Sequence, residues 1–340
     1  MKTEAELRSI RAKLAGENGV ALIVVLWIFI FLFVVAFDFS TAAREEATAA
    51  HRFSDETVGY YLAVAGFERG LYDFLNQQAV TGQLQQDQKK KDLFDGSWRE
   101  EEVGSGVARV RLVDEGGKIN ISRVSEETLR RVFTNLDIDS ARRDILVDSI
   151  MDWRDPDDFH RTNGAESDYY ASLSPAYTPK NGPLDSVEEL LWIRGMTSDL
   201  FYGYNEEKAQ PGDNPRRIAL REIFTVDSPI DRVNLRTASA EVIHALMGLP
   251  LEKCRAFIEE RNKLSEKTLG DLLPLLGIGA GDAALQMFIF ANPSVVAVEA
   301  EGRVEDSRVP RRVKGIVRLG GAQGFEMLRW LDRDLALPRN

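Results

Sequence analysis

The chain has one cysteine, Cys254, among its 340 residues, so no disulfide can form within it in any compartment. In L-E-K-C-R-A-F-I that cysteine reads as a small apolar helix residue. The three histidines, His51, His160 and His244, are scattered, and with a single cysteine they do not make an ordinary structural zinc site. Basic surplus is also missing. Lys and Arg total 43 against 54 Asp and Glu, a net charge of −11. That balance argues against a general nucleic-acid binder, whose affinity comes mostly from neutralising phosphates. No P-loop, nucleophile elbow or dinucleotide fingerprint stands in a strand–turn–helix context. Acid–base catalysis by carboxylates distant in sequence stays open as a class, but no residues can be nominated for it, and enzyme activity is the weaker reading.

What the chain has in abundance is one apolar run. Val20 to Phe37 contains no charged or amide residue and follows Gly19 directly. As a helix it spans roughly 27 Å, close to the hydrocarbon thickness of a bilayer. Lys2, Arg8, Arg11 and Lys13 precede it, diluted by Glu4, Glu6 and Glu17. That bias favours a cytoplasmic N-terminus and export of the bulk. The competing reading is a secretory signal peptide removed near Thr41-Ala42-Ala43, although the run exceeds the h-region of about 7–15 residues usual in such peptides.

Beyond the run, Tyr60, Val64, Phe67, Leu71 and Phe74 recur at helical spacing. The membrane helix is therefore expected to continue unbroken into an amphipathic half, although Gly59, Gly66 and Gly70 each weaken it by roughly 1 kcal/mol relative to Ala. Asn76 to Ser97 reads as a solvated loop. Trp98 to Val103 and Val107 to Val113 read as a hairpin, the second strand alternating Arg109 and Arg111 with Ala108, Val110 and Leu112. Further strands are expected at Val295 to Val298, Arg312 to Leu319 and Phe325 to Leu331. The intervening residues read mostly as helix and carry an internal repeat: K-I-N-I-S-R-V-S from Lys118 and R-V-N-L-R-T-A-S from Arg232. In each copy an Asn (Asn120, Asn234) lies between apolar residues and a Ser (Ser125, Ser239) is placed to cap a helix. Each continues into a second helix ending near Trp153 or Arg261. Ser186 with Glu189 offers a capping box.

Two constellations could carry chemistry. Glycine turns in L-W-I-R-G-M-T from Leu191, L-M-G-L-P from Leu246 and L-G-I-G-A-G-D-A-A from Leu276 resemble the hairpins of helix-hairpin-helix units, where outward N–H groups can hold a phosphate. Arg194 adds a cation there; Asp199 and Asp282 add the opposite sign, so compact packing is the stronger reading than DNA binding. The second is the acidic stretch from Asp152 to Tyr170. Asp155, Asp157 and Glu166 fall at positions 1, 3 and 12 of an EF-hand-length loop, but Phe159 and His160 stand at positions 5 and 6, which excludes an EF-hand. Several acids in one loop repel one another unless a hard cation neutralises them, and Ca²⁺ tolerates irregular oxygen geometry better than Mg²⁺. A solvated loop offset by Arg154 and Arg161 is the equal alternative on spacing alone.

A short polar leader ending in Gly, followed by G-V-A-L-I-V-V-L-W, resembles the prepilin-type signal of pilins and pseudopilins. Together with K-I-N-I-S-R-V-S, the D-W-R-D-P-D-D…N-G-A-E-S-D-Y-Y loop, N-G-P-L-D-S-V-E-E-L and F-T-V-D-S…V-N-L-R-T-A-S, the chain resembles the K-type minor pseudopilins of type II secretion. The resemblance implies an α+β fold, with a long N-terminal helix packed on an antiparallel sheet and a large all-α insert of repeated helix-hairpin-helix-like units. The parts would be a leader (1–19), the N-terminal helix (20–78, membrane-spanning over 20–37), the first sheet segment (79–117), the insert (118–290) and returning strands (291–340). It further implies cleavage between Gly19 and Val20 by prepilin peptidase, with methylation of the Val20 amine. Pilin-type subunits mostly carry Glu at the fifth mature position, where it meets the N-terminal amine of the subunit above; here that position is Val24. A subunit without the acid needs no upper neighbour, which suits the tip of a filament. Calcium is implied in the insert, with Asp155, Asp157, Glu166 and Asp168 as ligands and Asp152 and Asp158 as further candidates. Implied partners are the I-type and J-type minor pseudopilins, the major pseudopilin and the inner-membrane secretion platform, with no nucleic acid. The alternative is a membrane-tethered, nucleic-acid-binding pilin-like protein of DNA uptake.

Overall fold

The computed structural model describes residues 4–80, 93–94, 96–104, 106–203, 218–263, 269–279, 283–304, 310–320 and 324–332. The helices are α1 (Glu4–Val80), α2 (Glu126–Asn135), α3 (Ser140–Arg154), α4 (Ser167–Ala171), α5 (Ser198–Tyr202), α6 (Leu220–Ile223), α7 (Ala240–Met247), α8 (Leu251–Lys263) and α9 (Leu269–Leu276). The strands are β1 (Arg99–Val103), β2 (Gly106–Asp114), β3 (Ile119–Asn120), β4 (Phe224–Thr225), β5 (Val233–Asn234), β6 (Phe288–Ile289), β7 (Val295–Val304), β8 (Arg311–Leu319) and β9 (Phe325–Leu331). Helix α1 runs past the expected loop start at Asn76, because Gln77, Gln78 and Ala79 contain no turn former.

The chain divides into two units, Met1–Val58 and Gly59–Asn340. In the first, every apolar side chain from Val20 to Phe37 is exposed. Among the described residues this is the one helix long and apolar enough to cross a membrane.

In the second unit, β1, β2, β7, β8 and β9 form an antiparallel sheet in that order. The period-2 pattern of β2 sends Ala108, Val110 and Leu112 toward the helix, where Phe67, Leu71, Phe74, Val298 and Val313 share one core. The helix glycines have a use beyond their propensity cost. A Cβ on Gly70 would lie 2.6 Å from Val110 Cγ2, and one on Gly302 of β7 would lie 2.1 Å from the Gly59 carbonyl oxygen. Missing side chains on both elements let the helix lie against the sheet backbone.

The insert departs from β2 and returns through β7. It has a separate core that includes Phe133, Trp153, Tyr170, Phe201, Phe224 and Phe257. It is not wholly helical, because β3 pairs with β4 and β5 with β6, both parallel and two residues long. These pairs hold the two Asn loops. Asn120 Oδ1 accepts from Ser122 N at 2.9 Å and its Nδ2 donates to Ser228 O at 2.6 Å. Asn234 Oδ1 accepts from Arg236 N at 3.3 Å and its Nδ2 donates to Ala291 O at 2.9 Å. Ser125 and Ser239 then cap α2 and α7, accepting from the N–H of Thr128 and Val242. At the end of the following helix, Arg154 donates to the carbonyls of Ile121 and Val124, and Arg261 to those of Leu235 and Ala238. The repeat is therefore one of hydrogen bonding as well as of sequence.

Polar contacts fasten the insert to the sheet. Asp114, at the end of β2, accepts from Asn234 Nδ2 at 2.8 Å and Thr237 Oγ1 at 2.6 Å. Burial raises its pKa, partly offset by those two bonds. The adjacent Glu115 is equally buried, but Lys118 and Lys314 overcome the desolvation and hold its carboxyl below the usual range.

Candidate metal centre

Helix α3 delivers three acids on one side. Asp148 and Asp152 face inward one turn apart, and Asp155 is the C-cap, its N–H bonded to Met151 O at 3.1 Å. A carboxylate at a helix C-terminus meets the negative end of the dipole, so Asp155 is placed where an anion is least welcome. Pro156 ends the helix, and the chain returns through Glu166, the residue before α4.

The loop is organised by its own acids. Asp148 takes Arg130 at 2.8 Å and both the backbone and side-chain nitrogens of Asn163 at 3.0 Å. Asp152 is fully buried, accepts from Arg161 N at 3.2 Å and has Arg161 Nε at 3.4 Å. Burial nonetheless carries its pKa up to about 6. Gly164 passes close by, where a Cβ would stand 1.8 Å from Asp152 Oδ2. Asp157 Oδ1 accepts from Phe159 N at 2.9 Å, and its carbonyl accepts from Asn181 Nδ2 at 2.9 Å.

The consequence is a group of carboxylates without enough donors. Oxygens of Asp155, Asp157 and Glu166 all lie within 4.8 Å of one another. Glu166 is 1% exposed, and neither of its carboxylate oxygens has a hydrogen-bond partner. Asp155 Oδ1 and Asn181 Oδ1 are likewise buried and unpartnered. Desolvation, and then Asp152, Asp155 and Asp158, push Glu166 up to about 7. Ca²⁺ binds oxygens at about 2.4 Å, so two ligands of one ion stand at most about 4.8 Å apart, and the observed cluster meets that limit. All the donors are oxygens, which suits a hard cation.

The sequence-nominated residues divide accordingly. Asp155, Asp157 and Glu166 converge. Asp168 points elsewhere: its side chain is 74% exposed and lies 3.0 Å from His160 Nε2. Asp158 accepts from Ser167 N at 3.2 Å, which lowers its pKa. Sequence reasoning missed Asn181 and Asp148. The Asn-Gly turn at Asn181 has φ of 47°, and Asp148 precedes Asp152 by one helical turn on the buried side; the second spacing was readable.

The hairpin cations are committed elsewhere. Arg194 donates to Gly164 O at 2.8 Å and lies over the Tyr169 ring, so it braces the acidic loop. Lys253, which the sequence reading passed over, reaches Leu276 O at 3.4 Å beside the third turn. Gly195, Gly248 and Gly277 all have positive φ, as tight turns need. Asp282 lies outside the described residues.

With this geometry in hand, relatives are informative. Residues 110–204 match the family described as "Type II secretion system (T2SS), protein K". The chain is similar to type II secretion system protein K of Klebsiella pneumoniae, 26% identical over 195 residues, covering 54% of this chain and 60% of that protein. It is also similar to the protein of that name from Pectobacterium carotovorum, 32% identical over 75 residues, or 22% and 23% of the two chains. The chain thus spans 60% or less of the curated relatives it matches. A chain of the GspK-GspI-GspJ complex of the enterotoxigenic Escherichia coli type 2 secretion system has the same fold, with a TM-score of 0.55, 16% identity and coverage of 86% of this chain and 98% of that one. These likenesses agree with the motifs read from the sequence: residues 110–204 are similar to the type II secretion system protein K family, and the fold is shared with the Escherichia coli chain.

Proposed function

We propose that the chain is a minor pseudopilin that caps and initiates the periplasmic filament of a type II secretion system. Its role is structural rather than enzymatic. The observation that carries the tip position is Val24, the fifth residue after Gly19, in a run with no acid from Val20 to Phe37. Without that acid the stem places no demand on a neighbour above, and the insert gives the head a bulk that is hard to stack within a shaft. The Val20 amine, exposed by prepilin peptidase, stays available to a subunit below. In this reading α1 anchors the protein in the inner membrane as a single pass, its N-terminus cytoplasmic and its bulk periplasmic. The E. coli structure is of a complex of GspK with GspI and GspJ. By that analogy the closest partners are the I-type and J-type minor pseudopilins, with the major pseudopilin below and the inner-membrane platform at the base. N-terminal mass spectrometry of protein from membranes tests the route: N-methylated Val20 supports it, and a start near Arg44 replaces it with a cleaved signal peptide.

We further propose that Asp155, Asp157 and Glu166 hold a structural Ca²⁺, with Asn181 bracing the loop through its Nδ2 bond to the Asp157 carbonyl. Support comes from the buried, unpartnered oxygens of Glu166 and Asp155. The ion would neutralise the acids and fix the loop between α3 and α4.

A further inference from the structure

The glycine turn L-W-I-R-G-M-T resembles a phosphate-holding hairpin, but its cation is spent inside the protein. Among the described residues, Arg194 makes no ion pair, although acids crowd the loop beside it. Its guanidinium donates to the Gly164 carbonyl at 2.8 Å and lies 4.8 Å from the centre of the Tyr169 ring, and its backbone N–H donates to the Tyr170 hydroxyl at 3.3 Å. Gly164 stands two residues before Glu166, and Tyr169 and Tyr170 stand three and four after it. A single residue therefore brackets the buried acid on both sides.

Glu166 needs that support. Helix α4 has five residues and no side-chain cap at its start, too little to hold its own shape. Its first bond runs from Tyr170 N to Glu166 O at 3.2 Å, so the place of Tyr170 sets the place of Glu166. On the other side, the Gly164 peptide is held between Asp152, which a Cβ would strike, and Arg194, which takes its carbonyl. The turn is in its own right fixed against α3. Gly195 has φ of 87°, and a Cβ on it would stand 3.0 Å from Ile145 of that helix. Helix α3 ends at Asp155, so Arg194 sets the position of Glu166 relative to the helix that supplies its neighbour.

We propose, on the calcium reading above, that Arg194 is a positioning residue of the metal centre: it bonds to none of the three ligands and holds Glu166 within reach of Asp155 and Asp157. Charge and geometry predict opposite effects of removing it. Deleting a cation beside a cation site strengthens metal binding by Coulomb's law. Releasing the loop weakens binding, because the ion must then order Glu166 itself. Geometry decides here. After desolvation, the charges that act most strongly on Glu166 are those of Asp152, Asp155, Asp158 and His160, and Arg194 is not among them. Coupling is reciprocal, so the ion in turn steadies the glycine turn.

The test uses the full-length chain in detergent micelles, titrated with calcium chloride by calorimetry. Arg194→Met is expected to weaken calcium binding tenfold or more, and calcium is expected to slow hydrogen exchange at the amides of residues 193–196 in the parent. Because Arg194→Met can disturb folding, Tyr169→Leu provides a second variant; it removes the ring under the guanidinium, keeps the donor to Gly164, and is expected to weaken binding threefold or more. Both are checked by thermal melting in EDTA. Arg142→Gln, an exposed position on α3, is expected to bind calcium like the parent, and an equal weakening there overturns the proposal. A folded Arg194→Met or Tyr169→Leu that binds calcium as tightly as the parent, or more tightly, also overturns it, even where its melting temperature in EDTA is lower. So does exchange at residues 193–196 that is indifferent to the ion. A parent chain that binds no calcium removes the ion as well as the role of Arg194, whereas a parent that binds it beside an unaffected Arg194→Met removes that role alone.

Discussion

Gly164 and Asp152 fit together only because residue 164 has no side chain: a Cβ there would stand 1.8 Å from Asp152 Oδ2. The carboxylate cannot move aside freely, since it is fully buried and takes the Arg161 backbone N–H. Gly164→Ala should therefore destabilise the Gly59–Asn340 unit by about 1–3 kcal/mol, the usual range for overpacking, and displace the loop that presents Glu166. Thermal melting with and without calcium checks this. The variant should melt lower in both conditions and gain less from the ion than the parent does.

Calcium should raise the melting temperature of the parent chain, and a chelator should lower it. An ion present at 100 times its Kd adds about 2.7 kcal/mol. Paired melts in calcium and in EDTA read the effect directly. Identical curves would remove the ion from the account.

The pH dependence should change sign of slope with the ion. Glu166 and Asp152 are raised to about 7 and about 6, so their protonated forms favour the fold. Their stabilising effect is complete below their ordinary values near 4 and is lost as pH rises toward 7. In EDTA the urea midpoint should fall across that window. In calcium it should hold steady or rise, because the ion binds the ionised carboxylates. A midpoint in EDTA that rises from about pH 4.5 to 7 would contradict the burial of these acids.

Gly302→Ala should loosen α1 from the sheet, since the new methyl would stand 2.1 Å from Gly59 O and 2.3 Å from Ala63 N, both backbone atoms. A loss of about 1–3 kcal/mol is expected, at the upper end because backbone cannot rotate away. Arg261→Met should cost about 2 kcal/mol by leaving the Leu235 and Ala238 carbonyls without this donor. Urea titrations of the two variants measure both losses.

Much of this was legible in the sequence because it rests on periodicity. The apolar stem, the stripe from Tyr60 to Phe74, the alternation of Arg109 and Arg111 with Val110 and Leu112, and the repeated Asn–Ser spacing each follow a local rule that the fold obeys. Long-range pairing was less readable. Nothing local says that Glu299 and Glu301 would each meet cations from two strands, or that Arg154 and Arg261 would turn back onto the Asn loops. At the candidate centre, Asp155, Asp157 and Glu166 could be nominated by spacing. Asp168 could not be separated from them, because its pairing with His160 depends on how the loop folds. Asn181 was hidden for the same reason, being supplied from beyond α4.

The central claim is the tip position, and the most direct measurement is where the chain sits in the filament. Antibody-gold labelling of sheared pseudopili carrying an epitope on this chain should mark one end of each filament and nothing along its length. Label spread along the shaft in the parent would contradict the account.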